Sequence, residues 1–408
     1  MTSFNYKARD RYGILTQGRL EADSSRTVAR LLAKQGFSPI SIAEEESGGV
    51  SERLSQWLSA LQKIRPEELV VFTRQLASTL DAGVPLIDSL DAVAEQIRNR
   101  SFCAVVLAVK KDIEGGSTFS DALSKRQKYF SALVINMVRG GERAGILPQA
   151  LDKVSNIIEK DIETADKIKT ATRYPMIVLF VLIVAFVVVT VYVIPRFVTF
   201  FAAFKAQLPL PTRILIATNY VIINYWYWIV GLIAIFAYAI YKILQTERGR
   251  YNWDRFILST PIFGPLFSKV YLSRFGRMLS AMLGAGIPIL DALTVTAATV
   301  ENKIISRVII DIRNDVSGGK SLAEPMRGSH VFPPIAISMV AIGEKAGTLE
   351  NMLNKTADYF DREVDYTIKN LTPLLEPLLI FGLAIVLMIF ALGIFLPMWD
   401  LIRIYKTT

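Results

Sequence analysis

Carboxylates that occur twice are the residues best suited to chemistry in this 408-residue sequence. Glu142, within Gly141-Glu142-Arg143-Ala144-Gly145, returns as Glu344 within Gly343-Glu344-Lys345-Ala346-Gly347. Glu159, Asp161 and Glu163 return as Asp361, Glu363 and Asp365. Glu159 and Glu163 lie one helical turn apart and share a face, as do Asp361 and Asp365. Two carboxylates on one face suit a divalent cation, which makes these four the metal candidates. They equally suit basic residues on a partner, and Glu142, Arg143, Glu344, Lys345, Asp161 and Glu363 are the candidates for that contact. A solvated helix face paired with Lys160 or Arg362 is the plainer account of the long-helix acids, since surface carboxylates are common. The glycine-bracketed motif has a plain account too, in close backbone packing at a helix end.

Other reactive groups are sparse, and no catalytic residue or cofactor is expected. One cysteine and one histidine leave no intramolecular disulfide, Cys/His zinc site or haem pair. His330, in Ser329-His330-Val331-Phe332-Pro333, reads as a loop residue, and Cys103 as a small core residue. Gly319-Lys320-Ser321 ends like a phosphate loop, but Asn314 stands where its first glycine belongs and no buried strand precedes it. A glycine turn before a capped helix explains it, so the chain is not an ATPase. The net charge of +9 raises nucleic acid as a partner. The bases instead mix into charged helices or gather beside apolar runs, as at Lys167, Lys169 and Arg173, or Lys242, Arg248 and Arg250. That distribution suits membrane flanks and not nucleic acid.

The elements that hold these groups follow from hydropathy. Hydrophobic residues make up 52% and charged residues 20%, with a mean hydropathy of +0.36, the balance of polar lobes attached to a few spans. Three uncharged runs approach or exceed the ~20 residues a bilayer requires: Met176–Ile194, Ile214–Tyr241 and Pro377–Trp399. Their polar groups are few, Thr190 in the first and Thr218, Asn219 and Asn224 in the second, which argues against a self-contained transporter. Met1–Lys7 has no apolar signal core, so the N-terminus is expected in the cytoplasm.

An internal duplication organises the rest. Phe72–Asp88 realigns with Phe275–Asp291 at an offset of 203, Gly115-Gly116 with Gly318-Gly319, and, after a one-residue slip, the glutamate motifs and the acids that follow them. Leu69, Phe72, Leu76 and Leu80 recur at helical spacing, as do Leu272, Phe275, Leu279 and Leu283. Gly83 and Gly286 are placed to end one helix, Pro85 and Pro288 to begin the next, and Ser117 and Ser321 to cap another.

The predicted fold is mostly α: an integral membrane protein with two duplicated cytoplasmic helical lobes, three transmembrane helices and a small α+β N-terminal segment. Residues 1–47 are that segment, with strands around Gly13 and a helix ended by Gly36. Residues 48–65 are a linker and amphipathic helix carrying Leu54, Trp57, Leu58 and Leu61. Lobe 1 takes 66–173, the first span 174–195, a periplasmic loop 196–213, the second span 214–241, a cytoplasmic connector 242–271, lobe 2 272–375, the third span 376–399 and a periplasmic tail 400–408.

These residues resemble a known family. Phe72-Thr-Arg-Gln-Leu-Ala, Ala82-Gly-Val-Pro-Leu, the two glutamate motifs, Phe332-Pro-Pro, Leu375-Glu-Pro and Phe395-Leu-Pro are similar to the bacterial type II secretion F family. That family comprises inner-membrane platform proteins of type II secretion systems and type IV pili. The resemblance implies a non-catalytic platform in the bacterial inner membrane. Its implied partners are a cytoplasmic hexameric assembly ATPase, a retraction ATPase in some pili, pilin subunits, other inner-membrane assembly proteins, membrane lipid and further copies of itself. The segments Asp361–Asp365 and Phe395–Leu401 are closer to pilus versions, and Leu90–Gln96 is as close to secretion versions.

Overall fold

Apolar residues at helical spacing, separated by glycine and proline, fold most of this chain into helices. The computed structural model describes residues 2–9, 15–22, 25–34, 36–44, 64–196 and 210–407. They divide into two units, Met1–Ile64 with Gln96–Val106, and Arg65–Glu95 with Leu107–Thr408. The predicted turn at Gly13, the amphipathic helix at 54–61 and most of the 196–213 loop lie outside the described residues.

In the first unit, β1 (Thr2–Arg9) pairs antiparallel with β2 (Leu15–Ala22) and β3 (Ser38–Glu44), in the order β2-β1-β3. Between them, α1 (Ser25–Lys34) buries Val28 and Leu32, four residues apart, against Tyr6, Leu20 and Phe37.

The repeats account for most of the second unit and for the Gln96–Val106 segment of the first. Helices α2 (Pro66–Asp81), α3 (Leu86–Gln96), α4 (Arg100–Glu114), α5 (Phe119–Ser124), α6 (Ala132–Ala144) and α7 (Leu147–Val188) make the first copy. After α8 (Leu210–Gln245) and α9 (Glu247–Ser259), the second copy runs through α10 (Phe263–Gly284), α11 (Ile289–Thr299), α12 (Lys303–Ser317), α13 (Ala323–Arg327), α14 (Pro334–Ala346) and α15 (Leu349–Thr407). Equivalent residues do equivalent work. Leu76 and Leu279 are both fully buried. Phe72 meets Phe130 with ring centroids 6.2 Å apart, and their counterparts Phe275 and Phe332 lie 5.0 Å apart. Asn99 and Asn302 each accept two backbone N–H groups at the start of α4 and α12. Two caps differ from the sequence expectation, and Ser321 is one: the N-cap of α13 is Leu322. Thr118, not Ser117, caps α5, its hydroxyl accepting the Asp121 N–H at 3.2 Å.

Two features alter the predicted element boundaries. Pro175 and Pro377 both sit inside unbroken helices, so each lobe runs into its apolar stretch without interruption. Helix α7 is 42 residues long and α15 is 59, so α15 extends about 90 Å and continues past the expected end at Trp399. A proline costs one N–H and crowds one turn, and the many hydrogen bonds of so long a helix outweigh that loss. By length and composition, Leu147–Arg196, Arg213–Gln245 and Leu349–Leu392 are long and apolar enough to cross a membrane. At Val189–Val193 the first of them widens into a π-helix, where the Thr190 carbonyl accepts the Asn219 side-chain amide of α8 at 2.5 Å. The second carries a kink at Tyr225, whose φ and ψ are −123° and 17°.

Candidate functional site: the repeated acids and the long helices

The glutamate motif resolves into three local tasks. Its first glycine permits a close crossing. A Cβ on Gly141 would lie 2.6 Å from the Ala150 Cβ, and one on Gly343 would lie 2.9 Å from the Leu349 Cα. Its last glycine turns the chain: Gly145 and Gly347 have φ of 69° and 67°, in the left-handed region, where they end α6 and α14. The glutamate between them reaches back to a short helix. Glu142 accepts the Phe119 and Ser120 N–H groups at 2.6 and 2.9 Å, capping α5. Glu344 accepts the Leu322 and Ala323 N–H groups, the latter at 3.0 Å, capping α13. Both carboxylates therefore serve their own lobe. The variable residues of the motif, Arg143 and Lys345, are exposed, and among the described residues neither forms an ion pair. Arg143, Arg139 and Asp291 line a cleft of about 720 Å³ between α6 and the Ala285–Pro288 turn.

The acids of α7 and α15 each face a base. The Arg74 guanidinium of α2 donates to Asn156 at 3.0 Å and to Glu159 at 2.6 Å. Its counterpart Arg277 on α10 donates to Asp358 at 2.9 Å and to Asp361, which also accepts the Ser273 hydroxyl. Residues 156 and 159, like 358 and 361, are three apart on one helix face, so one arginine fork reaches both. Glu163 pairs with Lys160 at 2.7 Å and Asp365 with Lys167 at 2.7 Å. Glu363 pairs with Lys269 at 2.8 Å. Asp161 takes both Nε and Nη2 of Arg274, at 3.0 to 3.1 and 2.7 Å. Among the described residues no three His, Cys, Asp or Glu side chains gather where a metal ion could be held. Glu159, Glu163, Asp361 and Asp365 each have a cationic neighbour.

These pairs form a ladder between the lobes. Lys153–Glu350 at 3.1 Å, Asp161–Arg274 and Lys167–Asp365 tie α7 of the first copy to α15 and α10 of the second. Beside the lowest rung, Leu266, Val364, Ile368 and Leu371 bury a common cluster with Ile168 and Ala171. Burial works to lower the Arg274 pKa, and the hydrogen bonds and charge of Asp161 reverse that, leaving it raised. The same balance holds at Arg277, where burial is opposed by Asp361 and Asp358. Glu163 is held below the usual carboxylate range by its hydrogen bond from Lys160. Both arginines therefore stay charged, and the ladder is an ionic fastening, not a proton-transfer site. Sequence reasoning named the acids and the Lys160 pairing, and missed the partners supplied by other helices. Arg74 and Arg277 were available as a signal, since they occupy equivalent positions in the repeat. Arg274 was not, because its equivalent is Val71.

Comparison with known proteins bears on the whole chain. The family profile of type II secretion system protein F matches twice, at residues 72–195 and 275–397, and that of its N-terminal domain matches residues 1–43. The chain is 37% identical over 406 residues to a type IV pilus assembly protein PilC of Thermus thermophilus, covering 98% of each. It is 35% identical over 400 residues to a protein of the same name in Myxococcus xanthus, covering 98% of this chain and 94% of that one. A type II secretion system protein F of Vibrio cholerae is 30% identical over 404 residues, with 98% of each covered.

Proposed function

This chain belongs to the type II secretion system protein F family, and on that premise we propose that it is the inner-membrane platform of a type IV pilus assembly machine. The observation that carries the pilus over the secretion reading is the spread of identities. Four relatives named for type IV pilus assembly stand at 33–37%, above three named for type II secretion at 28–30%, although one named for type 4 fimbrial assembly stands at 29%.

The three apolar helices cross the inner membrane, with the N-terminus and both lobes in the cytoplasm. The role is structural and not catalytic: the lobes meet a cytoplasmic assembly ATPase and the spans meet pilin subunits, with further copies of the chain and other inner-membrane proteins alongside. Rigid continuity supports this division of labour. Because α7 and α15 run from lobe to apolar stretch without a break, a turn imposed on a lobe is carried into the spans. Arg143 and Lys345, exposed and without an ion pair among the described residues, are the members of the partner-contact set best placed for an outside ligand. Glu142, Glu344, Asp161 and Glu363 support that contact from behind through their bonds within the lobes.

The test is a clean deletion in the source bacterium, assayed for sheared surface filaments, membrane-retained pilin and secreted enzymes. The pilus reading expects filaments to vanish with pilin stranded in the inner membrane. Normal filaments with enzymes trapped in the periplasm would transfer the chain to type II secretion.

A further inference from the structure

We propose that Arg248, Lys303 and Arg307, at the junction of α9 and α12, bind the phosphate of an anionic phospholipid headgroup. The inference rests on the membrane reading above. Helix α8 carries Lys242 in its last turn and ends at Gln245, and α9 begins two residues later at Glu247. Wherever α8 leaves a bilayer, α9 therefore starts at its surface. A depression of about 510 Å³ opens there, lined by Glu247, Arg248 and Asn252 from one helix and Lys303, Ser306 and Arg307 from the other. Three cations face one carboxylate, and among the described residues none of the three forms an ion pair.

The frame around them is fixed. Asp254, only 7% exposed, accepts the Lys303 N–H at 2.7 Å, and Arg250 donates to the Glu301 carbonyl at 3.3 Å, clamping α9 onto the start of α12. The two guanidinium groups and the ammonium are thus presented by two helices locked to one another, so their backbone attachment points are already in place. Guanidinium and ammonium donors together suit a phosphate, with bidentate contacts from the former and a point charge from the latter. The rim suits the rest of a lipid. Tyr251 and Ile310 line the depression and are exposed, and elsewhere on α9 Trp253 and Phe256, ring centroids 6.0 Å apart, stand 42% and 60% exposed. Aromatic rings with one wet edge belong at the level of headgroups. The first repeat lacks the full cation set: Ala104 stands at the position equivalent to Arg307.

The experiment is native mass spectrometry of the full-length protein in detergent, titrated with phosphatidylglycerol or phosphatidylcholine. The variant is Arg248→Gln/Lys303→Gln/Arg307→Gln, with circular dichroism to check that it folds like the wild type. A membrane-surface cation contributes roughly fivefold to anionic-lipid affinity, so the triple variant is expected to lose roughly 100-fold. Phosphatidylglycerol retained by the wild type, lost by the variant and undisturbed by millimolar inorganic phosphate supports the site. Equal retention of both lipids, or an unchanged variant, overturns it. Displacement by inorganic phosphate alone overturns the lipid assignment in favour of a soluble anion. Should the variant misfold, Arg307→Gln alone, expected to weaken binding about fivefold, repeats the test. Carbonate extraction of native membranes separates the two levels. A wild-type chain that resists extraction but ignores lipid charge loses only this site, whereas one that is released loses the membrane reading as well.

Discussion

Arg274 and Asp161 join the two copies of the repeat through a two-nitrogen contact of 2.7 to 3.1 Å that the repeat itself does not duplicate. At the position equivalent to Arg274 the first lobe has Val71, 54% exposed, and Asp161's equivalent Glu363 turns to Lys269 in its own lobe. The duplicated chain has acquired one contact that distinguishes the copies and holds them together. Arg274→Ala removes a partly buried guanidinium and leaves Asp161 without it, at a cost of about 2 kcal/mol. A double-mutant cycle with Asp161→Asn, read by thermal unfolding in detergent, is expected to give a coupling of about 1–2 kcal/mol. Additive single effects would mean the contact is idle.

Glu142 and Glu344 are expected to behave as helix caps. Each alanine substitution strands two backbone N–H groups and costs about 1–2 kcal/mol, while glutamine keeps an acceptor and costs less. The two lobes should respond additively. Chemical unfolding of Glu142→Ala, Glu142→Gln and the Glu142→Ala/Glu344→Ala pair measures all of this. If glutamine costs as much as alanine, the charge and not the acceptor is what matters.

Gly141→Ala and Gly343→Ala force α6 from α7 and α14 from α15, because the added Cβ would fall within 3 Å of atoms on the facing helix. Overpacking of this kind costs about 1–3 kcal/mol. Gly145→Ala meets no neighbour within 4 Å and is penalised only by its φ of +69°, about 1–2 kcal/mol. Soluble, folded yield and melting temperature of the three variants would rank them, with Gly141→Ala lowest.

Acid should loosen the first lobe. Asp112 is held below its ordinary value of 3.8 by the Arg126 hydrogen bond at 2.5 Å, against a smaller opposing effect of burial, with Lys125 adding to the lowering. Glu163 is likewise held below its ordinary 4.5. A carboxylate whose folded pKa is lowered lends stability that is complete above the unfolded pKa and disappears as pH falls through the folded one. The melting temperature is therefore expected to be flat from pH 7 to about pH 5 and to fall below about pH 4, as these groups protonate. Asp112→Asn should shrink that fall; an unchanged acid limb would remove Asp112 from the account.

Rigid transmission through α7 and α15 has a direct mechanical test. Flexible glycine inserts at Lys169 and at Leu371 interrupt the two helices between lobe and apolar stretch. Loss of surface filaments with normal protein levels is the expected result. Filaments at wild-type abundance would show that lobe and span need no stiff coupling.

Much of this was legible in the sequence because the physics is local. The Phe72–Leu76 stripe and the left-handed glycines are set by residues a few positions apart, and so is the Lys160–Glu163 pair. What escaped was non-local. Glu142 reaches a helix start more than twenty residues upstream, and Arg274 reaches across 113 positions to Asp161. No periodicity reports such distances.

The helix that stands outside the repeat has a consequence of parity. Asp161 and Arg274 touch, so the two lobes must share a side of whatever barrier lies between them, and the chain must cross an even number of times from one to the other. A bare tandem copy of one lobe followed by one crossing gives an odd number and would strand the second lobe opposite the first. Helix α8, with no counterpart in either copy, is long and apolar enough to be the missing crossing. Deleting it should not shorten the protein's reach so much as turn half of it inside out.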